Sequence, residues 1–239
     1  MDIDNKNRIS LPWITELEKR IYRAIRHLLM PWKDPYLKAL TRRPWGWAVA
    51  GLHYLLEFPM LVLDVFGFPE VYGYVQRLLK ADSRPLDTAE YQTAHFLFKN
   101  YLDLNRVRID ENALIGTHGG KYAYVSYFYI NCSGQLTLPV LMHELAHILQ
   151  YVQIGSPYIF RNLMAHWSKD KYNYGGLPRL IYVLQFPETL HQLNYEQRAD
   201  IVSDYYLIAS GYNPEWGSAD HRDASTYLKV LQKVFEARP

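Results

Sequence analysis

Thr137-Leu138-Pro139-Val140-Leu141-Met142-His143-Glu144-Leu145-Ala146-His147-Ile148-Leu149-Gln150-Tyr151-Val152-Gln153-Ile154-Gly155 is the stretch on which the fold turns. Leu138, Leu141, Met142, Leu145, Ile148, Leu149 and Val152 recur at spacings of three and four, the period of an amphipathic helix with a wide apolar stripe. Pro139 falls in its first turn, where a missing N–H costs little, and Gly155 supplies the stop. A helix this apolar must be largely buried, and His143 and His147 go inside with it. Buried imidazoles need partners. Four residues apart, the two rings project from one side of the helix and can reach a single metal ion. Glu144, between them, is placed to take a proton from a water that such an ion activates.

Two ligands do not complete a catalytic zinc site, which has three protein ligands and an open position. In the metzincin pattern the helix would break at a glycine and a third histidine would follow soon after, but Gln150 and Gln153 stand there. The other common solution takes a glutamate from a second helix. Asn194-Tyr195-Glu196-Gln197-Arg198-Ala199-Asp200-Ile201-Val202-Ser203-Asp204 fits it, with Glu196, Asp200 and Asp204 at four-residue spacing on one face. Three stacked acids repel one another unless a cation is near; the bland alternative is a solvated acidic face. Glu196 is thus the expected third ligand, and Asp200 the residue expected to hold a ligand histidine through its second nitrogen. His166 and His191 are rival ligands or proton donors. Two histidines and a carboxylate also describe a non-haem iron site, but a Glu between helically spaced histidines favours Zn2+.

Arg106-Val107-Arg108-Ile109, the aromatic run Tyr122 to Ile130, His143 to Tyr151, Tyr172-Asn173-Tyr174 and Tyr195 to Val202 together resemble zincin-like metallopeptidase domains. Such domains occur with Rhs/Vgr-type secretion proteins and in extracellular contractile injection systems. The resemblance covers residues 86 to 215. It implies His143, His147 and Glu196 as metal ligands, Glu144 as catalytic base, a peptide or protein substrate, and a role as a secretion-system component.

The remaining sequence reads mostly as helix. Residues 86 to 104 form one, capped by Asp87 or Thr88. Arg106 to Ile109 and Tyr122 to Ile130 are expected strands of a small sheet beside the metal helix, with Thr117-His118-Gly119-Gly120 turning between them. An edge of such a sheet can hold an extended peptide by strand addition. Helices around 158 to 166 and 178 to 186 flank a glycine-bearing loop that could bring the hydroxyl of Tyr172 or Tyr174 to a developing oxyanion. With 21 tyrosines in the chain, a structural role is the more economical reading of either.

Glu16 to Leu29 is an amphipathic helix ended by Pro31 and Pro35. From Trp45 to Phe68 runs the most apolar segment, near the length of a membrane span of about 20 residues. Glu57, Pro59, Asp64 and the Gly67-Phe68-Pro69 break oppose spanning. A buried hairpin is expected, with peripheral membrane contact behind Arg42-Arg43 and Trp45 and Trp47 as anchors in second place. The chain has 239 residues, 49% of them hydrophobic, a net charge of +2 and one cysteine. No nucleic-acid partner is expected from that balance, and Cys132 allows no intrachain disulfide. Met1 to Lys6 lacks the shape of a signal peptide. The expected location is the cytoplasm, with signal-independent export or membrane association as alternatives.

The expected architecture is α+β and mostly helical: a zincin-like metallopeptidase domain over 86–239, and an N-terminal helical extension over 1–85. The expected function is zinc-dependent peptide hydrolysis. A noncatalytic zincin-like adaptor and a membrane-surface protein are the alternatives.

Overall fold

The computed structural model describes residues 12–42, 44–80, 82–113, 117 and 123–236. It is mostly helical with one small mixed sheet, and it divides into two compact units, Met1–Phe68 and Pro69–Pro239. The division falls before the 85/86 boundary expected from sequence, because the residues after Phe68 are tied into the second unit. The Lys80 ammonium pairs with Asp110 at 2.7 Å, Arg84 exchanges backbone hydrogen bonds with Ile109, and its guanidinium bridges Glu90 and Glu111.

In the first unit α1 (Pro12–Leu29) leads through a short 3-10 turn to α2 (Pro35–Leu40) and α3 (Gly46–Val65). Asp34 caps α2 by accepting from the backbone N–H groups of Tyr36 and Leu37. Gly46 opens α3 where any side chain would collide with the Leu40 carbonyl oxygen: a Cβ would lie 2.1 Å from it. The expected hairpin within 45–68 is instead one continuous helix, with Pro59 on its exposed side. Nor is the segment buried core, since most of its large apolar residues face outward. Arg43 lies outside the described residues.

The second unit begins with α4 (Phe68–Leu79) and α5 (Thr88–Phe98). Asp87 and Glu90 form a reciprocal capping box at the start of α5, which ends at Phe98, short of the expected 104. Then come β1 (Arg108–Asp110), β2 (Tyr124–Ser126) and β3 (Tyr129–Asn131) in spatial order β1-β3-β2, with β1 parallel and β2 antiparallel to β3. The aromatic run is therefore a hairpin rather than one strand. It folds at Tyr127, whose φ of 59° lies in the left-handed region. That conformation costs a non-glycine residue about 1–3 kcal/mol. Burial of the ring offsets it: Tyr127 packs edge-on against Tyr151 and near Tyr72, and its hydroxyl is 3.3 Å from that of Ser156. Tyr122 and the expected turn residues His118, Gly119 and Gly120 lie outside the described residues. Thr117 is described and is buried, donating to the Ala113 carbonyl.

Five more helices complete the unit: α6 (Leu138–Ile154), α7 (Pro157–His166), α8 (Gly176–Gln185), α9 (Tyr195–Ala209) and α10 (Ala224–Glu236). The core sits where α6 packs along α9, with α10 behind α9 and α8. Leu141, Leu145 and Ile148 of α6 are fully buried, each worth about 1.5–3 kcal/mol of apolar burial. Thr137 and Gly155 bound α6 as its periodicity predicts.

Candidate metal centre

The α6 helix carries His143, Glu144 and His147 on the side facing α9 and a cavity of about 920 Å³. Glu196 comes from the first turn of α9, where the helix start favours a carboxylate. Its place is fixed by a capping box in which Asn194 accepts from the Gln197 N–H and the Gln197 side chain accepts from the Asn194 N–H. The same two side chains donate to the carbonyls of Lys171 and Asn173, anchoring the loop that carries Tyr172.

The three candidate ligand atoms converge. Nε2 of His143 and Nε2 of His147 are 3.0 Å apart, and Oε2 of Glu196 lies 3.2 and 3.3 Å from them. Ligand atoms about 2.0–2.2 Å from a tetrahedral zinc ion stand about 3.3–3.5 Å apart, close to this spacing. The hydrogen bonds behind the rings settle which nitrogens face inward as acceptors. His143 Nδ1 lies 2.7 Å from Asp200 Oδ1, a carboxylate that only accepts. His147 Nδ1 lies 2.9 Å from Gln150 Oε1, and the Gln150 amide is oriented by donating its N–H to the Tyr195 carbonyl at 2.9 Å. In the neutral rings each proton therefore sits on Nδ1, and two nitrogen lone pairs point at one carboxylate oxygen. A cation resolves that repulsion, and the donor set fits a divalent one such as zinc.

Glu144 adds a second sign. It is buried, and its Oε2 has no hydrogen-bond partner among the described residues. An unsatisfied buried acceptor costs about 1–3 kcal/mol, which fits an atom kept for a water or a substrate proton. Burial pushes the Glu144 carboxyl above its ordinary range against the pull of His147 and His143. Glu196 moves the other way. Burial opposes its ionisation, but His147 and His143 hold it well below the usual carboxylate range.

No family model, curated protein or solved structure matches the chain.

Of the other sequence candidates, Tyr172 reaches the cavity. Its ring lies 6.0 Å from that of His143, and its hydroxyl is 3.0 Å from His166 Nδ1. His166 also lines the cavity, with Nδ1 4.0 Å from Glu196 Oε1, beyond the ligand triangle. Tyr174 is turned away into the core, where its hydroxyl donates to Asp204 at 2.6 Å and meets the Tyr227 hydroxyl at 2.8 Å. Asp204 accepts as well from the backbone N–H groups of Glu215 and Trp216, so the third acid of the α9 face is structural. His191 belongs to the turn Pro187–Gln192, apart from the cavity lining.

Sequence reasoning missed Gln150 as the holder of His147, having weighed it only as a position lacking a histidine. Its spacing of three from His147 was the available signal. It missed Tyr158 too, buried in the cavity wall with its ring 5.7 Å from that of His147. Trp216, whose indole N–H donates to Asp200 Oδ2 at 2.6 Å, is far along the chain and left no local signal.

Proposed function

We propose that the protein is a zinc-dependent peptidase of zincin-like architecture. The observation that carries this reading is the meeting of two imidazole lone pairs and the Glu196 carboxylate beside the unpartnered Oε2 of Glu144, in a cavity large enough for a peptide segment. His143, His147 and Glu196 would hold the ion, which when bound supplies Lewis acidity, acidifying water and polarising a carbonyl. Glu144 accepts the proton from the attacking water and returns it to the departing amine. Its raised proton affinity suits that two-way duty better than an ordinary surface carboxylate would. Asp200 and Gln150 keep both ligand rings in the Nδ1–H tautomer.

The substrate would enter as an extended chain. Tyr124 and Val125 of the edge strand β2 line the cavity together with Ala123, and an unpaired strand edge can bind a peptide backbone by strand addition. Tyr172, which lines the same cavity, is the hydroxyl proposed for the oxyanion. A noncatalytic adaptor would gain nothing from a buried, unsatisfied Glu144. A place in a secretion or injection system is supported by the motif resemblance alone.

The test pairs metal analysis with cleavage of a peptide library by wild type and Glu144→Gln. Both proteins should carry one zinc, and turnover in the variant should fall by about 10²–10⁴. Unchanged hydrolysis, or zinc lost from the variant, would contradict the roles assigned.

A further inference from the structure

Along α3 the usual distribution of polarity is inverted. His53, Glu57 and Asp64 of α3 are buried, Glu57 at 0% exposure, and so are Arg20 and His27 of α1. These groups meet one another between the helices. His27 and His53 each place Nδ1 3.9 Å from a Glu57 carboxylate oxygen, His27 Nε2 lies 3.0 Å from the Tyr54 carbonyl, and the Arg20 guanidinium donates to the Asp64 carbonyl at 3.0 Å. The aliphatic residues point the other way: Leu52, Leu55, Leu56 and Leu63 of α3, and Ile25 and Leu28 of α1, are exposed.

We propose that α1 and α3 form a hairpin embedded in a lipid bilayer, with acyl chains against its aliphatic exterior and Arg20, His27, His53, Glu57 and Asp64 held between the two helices; the exposed Glu18 and Lys19 of α1 precede Arg20, which pairs with the last turn of α3, and so lie at headgroup level. Four observations favour lipid over water or a protein partner. First, α3 has 20 residues, about 30 Å of helix, the thickness of a hydrocarbon core. Second, only 28% of its most apolar stretch is buried, whereas the core helix of a water-soluble domain is mostly covered. Third, at 100° per residue the buried positions Gly46, Ala50, His53, Glu57, Leu61 and Asp64 occupy an arc of roughly 80°, while the exposed apolar ones sweep roughly 200°. A second copy covers one stripe; lipid surrounds. Fourth, the connection between the helices and the first turn of α3 expose Trp32, Trp45 and Trp47, at 67%, 87% and 79%, with Lys33, Lys38 and Arg42, the aromatic and basic composition of a headgroup layer.

The pairings run antiparallel, Arg20 to Asp64 and His27 to Tyr54, so the start of α1 and the end of α3 emerge at the same end. The acids of α3 that oppose a membrane span in the sequence are compatible with one here, because they never face lipid. The inference stands independently of the metal centre.

The test is flotation of the full chain with phosphatidylcholine vesicles, followed by washes in high salt and alkaline carbonate. The wild type should float and resist both washes. Leu52→Lys with Leu55→Lys, on the outward face, should abolish flotation while circular dichroism and zinc content stay unchanged. Protein that remains soluble and monomeric beside the vesicles overturns the proposal. So does a discrete dimer without vesicles that the same substitutions dissolve. Flotation without zinc would leave this inference standing and the peptidase reading fallen; zinc without flotation would do the reverse.

Discussion

Glu196 and Asp200, one turn apart on α9, face opposite nitrogens of His143: Glu196 Oε2 lies 3.2 Å from Nε2, and Asp200 Oδ1 lies 2.7 Å from Nδ1. One helix thus supplies both a proposed metal ligand and the group that orients another, so the register of α9 against α6 sets the whole site. Trp216 locks Asp200 from behind. Asp200→Asn should weaken zinc binding by about 10- to 100-fold, the usual effect of losing such a partner. A chelator competition titration reads it directly, and an unchanged affinity would remove Asp200 from the site's design.

Gln150 plays the matching part for His147, from the same helix. Gln150→Ala should also cost about 10- to 100-fold in zinc affinity. Because the Gln150 amide also satisfies the Tyr195 carbonyl at the start of α9, the variant should be less stable by about 1–3 kcal/mol as well. Gln150→Glu should restore the histidine contact but not the one to Tyr195. Denaturant melts of the metal-free proteins, set beside their zinc affinities, separate the two effects.

Helix α6 could be read from the sequence because its signals are local: a period of three and four, a proline in the first turn, a glycine at the end. Glu196 and Asp200 were legible for the same reason, their spacing being that of one helical face. The aromatic hairpin was not, since its reversal depends on Tyr127 holding a left-handed backbone that only tertiary packing of its ring supports. Tyr174 and Tyr172 lie two residues apart and look alike in sequence, yet Asp204 and Tyr227 draw one into the core while His166 meets the other at the cavity. Residues 45–68 read as buried from sequence because they are apolar. Which face of a helix is covered depends on its neighbours, and α1 offers a polar one.

Zinc binding should depend on pH through His143. Burial lowers the proton affinity of this ring, but Asp200 and Glu196 outweigh it and hold the pKa well above the ordinary histidine value. In the metal-free protein His143 therefore holds a proton to higher pH than an ordinary histidine does. Its contribution to stability is fully present below about pH 6.5, the unfolded value, and is lost as pH rises through the raised one. The ion must displace that proton, so apparent zinc affinity should rise about tenfold per pH unit while His143 remains protonated. Asp200→Asn removes a bond that raises the pKa, which shifts this dependence to lower pH. Competition titrations from about pH 6 to about pH 9 test it, and a flat profile would exclude proton competition at His143.

Tyr174→Phe should damage stability without touching chemistry. The lost hydroxyl donates to Asp204, a carboxyl that burial pushes above its ordinary range and that bonds from Tyr174, Glu215 and Trp216 pull down. A hydrogen bond to a charged group is worth about 1.5–3 kcal/mol, which sets the expected loss near neutral pH. Because the folded pKa of Asp204 is raised, stability linked to it is fully present below the unfolded value and declines as pH climbs through the folded one. Removing one of the bonds that lower that pKa enlarges the decline. The variant should therefore differ from wild type more at neutral than at acid pH in denaturant melts, while zinc content and turnover per folded molecule stay equal. If turnover collapses with the melts unchanged, Tyr174 acts in the chemistry after all, and its place in the core is not the one it occupies during reaction.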